Sequence, residues 1–141
     1  MLVLDFDKTN FANLIKLITS DKKIFLLCYT NSKDSFEPAN EWNLLQVFKK
    51  YVPSDDIVLA KILVDPAVNI LRMFPRIDAT GKELPRAVFI DGLTKIEKYA
   101  GEHKSKEYVL WLKETLENLS INEVNNEDEN DEEKTVIDIS I

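Results

Sequence analysis

Lys23-Ile24-Phe25-Leu26-Leu27-Cys28-Tyr29-Thr30-Asn31-Ser32-Lys33-Asp34-Ser35-Phe36-Glu37-Pro38 decides how the rest of this chain is read. Ile24 to Tyr29 is apolar without alternation, which suits a strand covered on both faces, as in a sheet with helices on either side. The run then turns polar. Asp34 or Ser35 starts a helix with Pro38 in its first turns, where a missing N–H costs little. Trp42, Leu45 and Phe48 mark its buried stripe, with Leu44 and Val47 widening it.

Upstream, Met1 to Asp5 is a short apolar run suited to an edge strand. Thr9 can N-cap a helix in which Phe11, Leu14, Ile15 and Ile18 recur at helical spacing. Ser20 to Lys23 is a polar turn. Downstream, Val52 to Asp56 ends the second helix, and Ile57 to Val64 is a second central-looking strand. Asp65-Pro66 opens a shorter helix bearing Val68, Ile70, Leu71 and Phe74, and Pro75 to Glu83 is a polar connection. Arg86 to Ile90 is a strand headed by Pro85 and closed by Asp91-Gly92, and Lys95 to Tyr99 pairs with it antiparallel across a short turn. Gly101 breaks the chain before a last helix from Ser105, with Tyr108, Val109, Trp111, Leu112, Leu116 and Leu119. The expected class is α/β: βαβαβα, then ββα, a mixed central sheet flanked by helices.

That order, with a proline heading the first strand of the closing hairpin, resembles a thioredoxin fold over residues 1–119. Val3-Leu4 followed by Asn10-Phe11 resembles the opening of protein disulfide isomerase domains. Leu84-Pro85 matches the family's cis-proline position, and Tyr99-Ala100-Gly101 its Tyr-x-Gly ahead of the last helix. Leu84 to Asp91 is also similar to the Pro-Arg-x-x-Phe-x-Asp strand of the anterior-gradient group. The Ser54-Asp55-Asp56 turn and the cysteine-free helix start are similar to a redox-inactive N-terminal domain of a dimeric reticulum chaperone.

The departures carry the functional reading. Counting back from Pro38, the resemblance puts the family's two redox cysteines at Thr30 and Lys33. Disulfide exchange needs a low-pKa thiolate at a helix N-terminus and a second thiol to resolve the mixed disulfide, and neither residue supplies one. The family's buried acid, which handles protons, falls at Ile24. Two independent losses at one site argue against misalignment. What the resemblance leaves is a groove for extended peptide, formed by Tyr29, Thr30, Lys33, Leu84, Pro85 and Gly101, where backbone hydrogen bonding beside Pro85 resembles strand addition. The plainer alternative is that Leu84 and Tyr29 only cover the end of the sheet. Cys28 reads either as a small buried hydrophobe or as a displaced nucleophile. His103, between Glu102 and Lys104, reads as a solvated surface residue.

Composition sets the outer bounds. At 141 residues and 45% hydrophobic content, the chain is long and apolar enough for one core plus an appendage. No apolar run approaches the ~20 residues of a membrane span, and Met1 to Asp7 lacks the charge and length pattern of a signal peptide. A single cysteine forms no intramolecular disulfide and is silent on compartment. The net charge of −7 resides in residues 120–141, where eight acids meet only Lys134. Residues 1–119 hold 17 basic and 17 acidic side chains, so nucleic acid is not an expected partner.

The expected division is a thioredoxin-like domain over 1–119 and an acidic tail over 120–141. Asn125 to Lys134 has the composition of a disordered, solvated run. Val136-Ile137-Asp138-Ile139 beside it resembles a SUMO-interacting motif, which adds a strand to its partner. The same segment could pair with this chain's own sheet edge or with a second subunit.

Three functions follow. The first is a redox-inactive binding module (chaperone, adaptor or dimerisation domain) for protein or peptide, with no cofactor and no enzyme activity. The second is a nuclear or cytosolic adaptor working through the tail, and the third a single-cysteine thiol oxidoreductase using Cys28. The first is preferred. The expected compartment is the endoplasmic reticulum if a leader has been removed, otherwise cytoplasm or nucleus.

Overall fold

Five successive residues, Ile24 to Cys28, have no solvent exposure at all, so the strand that carries them must be covered on both sides. The computed structural model describes residues 1–64, 84–92 and 95–127, with side chains to residue 119. Its elements are β1 (Leu2–Phe6), α1 (Phe11–Ile18), β2 (Lys23–Tyr29), α2 (Lys33–Asn43), a 3₁₀ segment (Leu44–Lys50), β3 (Ile57–Leu63), β4 (Arg86–Asp91), β5 (Ile96–Lys98) and α3 (Ser105–Glu127). The strands form one sheet in the order β1-β3-β2-β4-β5, with β2 at its centre. β1 and β2 run parallel to β3, whereas β4 is antiparallel to both β2 and β5.

Strand pleating divides β2 between two cores. Phe25 and Leu27 face α2, the 3₁₀ segment and α3, meeting Trp42, Leu45, Phe48, Tyr108 and Leu112. Ile24, Leu26 and Cys28 face α1, meeting Leu14, Ile18, Val58 and Ile90. Trp42 anchors the first core. Its indole N–H donates to Ala60 O at 3.0 Å, and its ring meets Tyr108 edge-on with centroids 4.9 Å apart.

Several local expectations are corrected. Thr9 does not cap α1: its amide donates to Asp7 Oδ1 at 2.8 Å, and Asn10 takes the N-cap position. Asn10 Oδ1 accepts from the Asp7 amide at 2.8 Å and its Nδ2 donates to Asp5 O at 3.2 Å, a self-contained turn that competes with helix capping. Pro38 stands at the sixth residue of α2, beyond the first turn, so it does forfeit a helical hydrogen bond. Leu44 and Val47 do not widen the buried stripe; they are 58% and 52% exposed. The chain tightens there to a 3₁₀ helix, in which residues three apart eclipse. Leu45 and Phe48 therefore share the inner face, and Leu44 and Val47 share the outer.

α3 continues to Glu127, so the 119/120 boundary falls inside a helix. Leu119 is the last apolar residue of its stripe, and helical hydrogen bonding continues beyond it without an apolar face. The expected helix at Asp65-Pro66, the connection Pro75 to Glu83 and the tail motif Val136 to Ile139 lie outside the described residues. No helix among the described residues is long and apolar enough to cross a membrane.

Candidate functional site

The sheet register brings the two halves of the expected groove together. β2 and β4 pair antiparallel as far as Cys28 opposite Arg86. Continued by one and two residues, that register sets Tyr29 beside Pro85 and Thr30 beside Leu84. The Leu84–Pro85 peptide bond is cis. Leu84 packs against the α1-side core and Tyr29 against the opposite one, so each keeps part of its surface at the end of the sheet.

α2 begins directly after this junction, and its head carries hydroxyls. Thr30 Oγ1 lies 2.9 Å from Ser32 Oγ and 3.3 Å from Ser35 Oγ, and it accepts from the Ser32 amide at 3.3 Å. Ser35 is fully buried and Thr30 nearly so, whereas Lys33, the first residue of α2, is exposed. These hydroxyls bond one another and the Ser32 amide. None has a histidine, carboxylate or amine partner in these bonds, and an alcohol without a base at hand is a poor nucleophile. Ser32 and Ser35 were not singled out from sequence. The signal available was the spacing Thr-x-Ser-x-x-Ser at a helix start, where hydroxyl side chains are favoured.

The one cysteine of the chain lies elsewhere. Cys28 is fully buried in the α1-side core, and burial pushes its thiol up to about 12, the Arg86 charge opposing this only in part. That is the reverse of the shift a thiolate nucleophile requires. Ile24, at the position of the family's buried acid, has no exposure and carries no proton.

Around the groove, Lys61 Nζ stands 5.8 Å from the Tyr29 ring centroid and donates to Asn43 Oδ1 at 2.7 Å. Partial burial holds the Tyr29 hydroxyl above its ordinary range, with Asp5 and Asp7 adding to the effect. Gly101 lies under the Tyr99 ring: a Cβ there would meet Tyr99 Oη at 2.5 Å and Cζ at 2.7 Å, so any side chain would push that ring aside. Tyr99 donates its amide to Ala87 O at 2.8 Å, which ties this loop to β4. The continued register thus puts Tyr29, Thr30, Leu84 and Pro85 at one end of the sheet. Lys33 follows one turn outward, and Gly101 belongs to the adjoining loop.

His103 is corrected. It is half-buried rather than solvated, with Nδ1 2.6 Å from Tyr108 Oη and its ring against Tyr99. Desolvation holds it below the usual histidine range. Nearby, Glu41 Oε1 of α2 accepts the Ser105 amide at 3.1 Å, capping α3 from another helix.

No family model and no curated protein matches the chain. Solved structures do. The J-Trx1 fragment of ERdj5 superposes with a TM-score of 0.59 at 13% identity, over 82% of this chain and 50% of that fragment. The zinc-bound form of human ERp44 superposes with a TM-score of 0.58 at 17% identity, over 79% of this chain and 30% of that one. The chain therefore spans half or less of each of these two. The superpositions extend over the five-stranded sheet ordered β1-β3-β2-β4-β5 and its flanking helices taken as a whole: the chain has a thioredoxin-like fold.

Proposed function

We propose that this chain is a thioredoxin-like binding module that holds extended protein or peptide segments and performs no disulfide chemistry. The observation that carries the reading is the junction of β2, α2 and β4. Thr30 and Lys33 stand where a dithiol would work, beside a partly exposed Leu84-Pro85 edge, and the sole cysteine is buried with a raised pKa. A ligand strand laid along that edge would take its affinity from backbone hydrogen bonds and from contact with Tyr29 and Leu84. On this reading the hydroxyls of Thr30, Ser32 and Ser35 fix the shape of the junction and enter no reaction.

The test pairs two assays on the same protein. Insulin reduction with dithiothreitol should proceed at the uncatalysed rate; turnover abolished by Cys28→Ala would sink the proposal. Binding of unfolded, cysteine-free polypeptide should be measurable by calorimetry and weakened about tenfold or more by Leu84→Asp, which places a charge on the groove wall at a cost of about 1.4 kcal/mol or more. Equal binding by the parent and Leu84→Asp would place the ligand elsewhere.

A further inference from the structure

The two helical elements over the first core do not close against each other. Between the 3₁₀ segment and the first half of α3 runs an open groove of about 540 Å³. Its walls are Leu44 and Val47 on one side and Leu110 on the other, each more than half exposed, and its floor is Phe48 and Val109. Such a cluster of exposed aliphatics marks an interaction surface. Its rim is cationic. Lys106 and Lys113 line it, no acid among the described residues does, and Lys49 and Lys50 stand exposed at the end of the 3₁₀ segment. Lys106, Leu110 and Lys113 recur at helical spacing, so one stripe of α3 presents a cation, an aliphatic and a cation.

The same chain holds a segment of complementary chemistry. Residues 1–119 are balanced in charge, and the whole excess of −7 lies in 120–141, which ends Val136-Ile137-Asp138-Ile139-Ser140-Ile141. The lengths agree. Glu127, the last residue of α3, stands 17 residues beyond Leu110, about 26 Å along the helix at 1.5 Å per residue. Residues 128–135 in extended form reach about 26–29 Å. A chain that doubles back along α3 therefore delivers residue 136 to the groove.

We propose that residues 136–141 occupy this groove in their own chain. Val136, Ile137 and Ile139 cover Leu44, Val47 and Leu110, and Asp138 lies between Lys106 and Lys113. A short tether gives an effective concentration near 1 mM, so an intrinsic affinity of even about 0.1 mM leaves the segment docked roughly ten times as often as free. The groove is distinct from the Leu84-Pro85 edge, so this inference stands or falls apart from the proposed peptide binding.

Hydrogen exchange on the full chain tests it. Two double variants attack the two sides: Ile137→Asp/Ile139→Asp in the segment, and Leu44→Ser/Leu110→Ser at surface-exposed groove positions. Amides of 136–141 should exchange about tenfold slower in the parent than in either variant, and the protection should fall in about 0.5 M salt as the lysine contacts are screened. Equal exchange in all three proteins overturns the proposal. Protection that survives Leu44→Ser/Leu110→Ser overturns it too, because the segment then sits elsewhere, for example on the free edge of β1. Protection that rises with protein concentration also overturns it, placing the segment on a second copy.

Discussion

Alkaline pH should weaken this fold through one sulfur atom. Burial raises the Cys28 thiol from 9.0 to about 12 in the folded chain, whereas the unfolded chain exposes it. Below pH 9 both states keep the proton and Cys28 adds no pH dependence. Above it, the unfolded state releases the proton while the folded state holds it, so the unfolded state binds fewer protons and stability falls as pH rises. The loss is about 1.4 kcal/mol for each pH unit between the two values: about 1.4 kcal/mol at pH 10 and roughly 3 at pH 11. Tyr29, Tyr99 and Tyr108 are raised as well and contribute slopes of the same sign, so the parent alone does not isolate the sulfur. Cys28→Ala does. Urea unfolding at several pH values from 8 to 10.5 should give a parent curve that declines more steeply than that of Cys28→Ala, by about 1.4 kcal/mol per unit above pH 9. Parallel curves would refute the reasoning. They would mean that the thiol ionises as easily in the fold as out of it, as a reachable nucleophile would.

Other predictions follow from single contacts. Gly101→Ala should lower stability by about 1–2 kcal/mol in urea titration, because its Cβ displaces a Tyr99 ring packed against Tyr108 and Trp111; most of the loss should vanish in a Tyr99→Ala background. His103 is held below its ordinary range, so the unfolded chain takes up a proton that the folded chain refuses. Stability should therefore decline as pH falls below about 6.5, and the decline should be shallower in His103→Gln when thermal unfolding is followed across that range. Thr30→Cys/Lys33→Cys in a Cys28→Ala background should yield a dithiol that oxidises to an intramolecular disulfide, read by alkylation and mass spectrometry. Insulin turnover should remain low, since Ile24 offers no proton relay; turnover at the rate of a disulfide isomerase domain would show that the lack of two thiols at 30 and 33 is by itself what keeps the site inactive.

The sheet was legible because its central strand leaves little choice. Five consecutive apolar residues need two covered faces, and turn residues on both sides fix their ends. Boundaries moved by a residue or two, as with Lys33 rather than Asp34 or Ser35 starting α2. Leu44 and Val47 were misplaced for a stronger reason. Apolarity alone does not orient a side chain: at about 100° per residue both already stand about 100° or more from Leu45, and the 3₁₀ turn keeps them together on the outer face. The burial of His103 was not legible between Glu102 and Lys104 because it is made by rings from other positions, Tyr99 before it and Tyr108 after it. The groove residues were legible only through a family likeness. That Thr30 lies beside Leu84 depends on pairing between segments 54 positions apart, which no local pattern encodes. The hydroxyl cluster was visible as composition, but its geometry was not.

The junction of β2 and α2 also gives the proposed binding a physical basis that needs no catalysis. A carboxylate at position 24 would sit where Ile24 has no exposure, between Val58 and Ile90 on the neighbouring strands. Buried there without a partner it would cost several kcal/mol, a penalty that only proton traffic with nearby thiols would offset in function. Once positions 30 and 33 carry no sulfur, an aliphatic at 24 becomes the more stable choice. On the proposed reading the residues at 24, 30 and 33 are physically compatible with one another. None of them touches what builds the edge at Leu84-Pro85, which rests on the β2–β4 register and on the packing of Tyr29 and Leu84 into opposite cores. On the proposed reading a ligand strand needs exposed backbone and a shaped wall, and neither depends on a reactive group beside it.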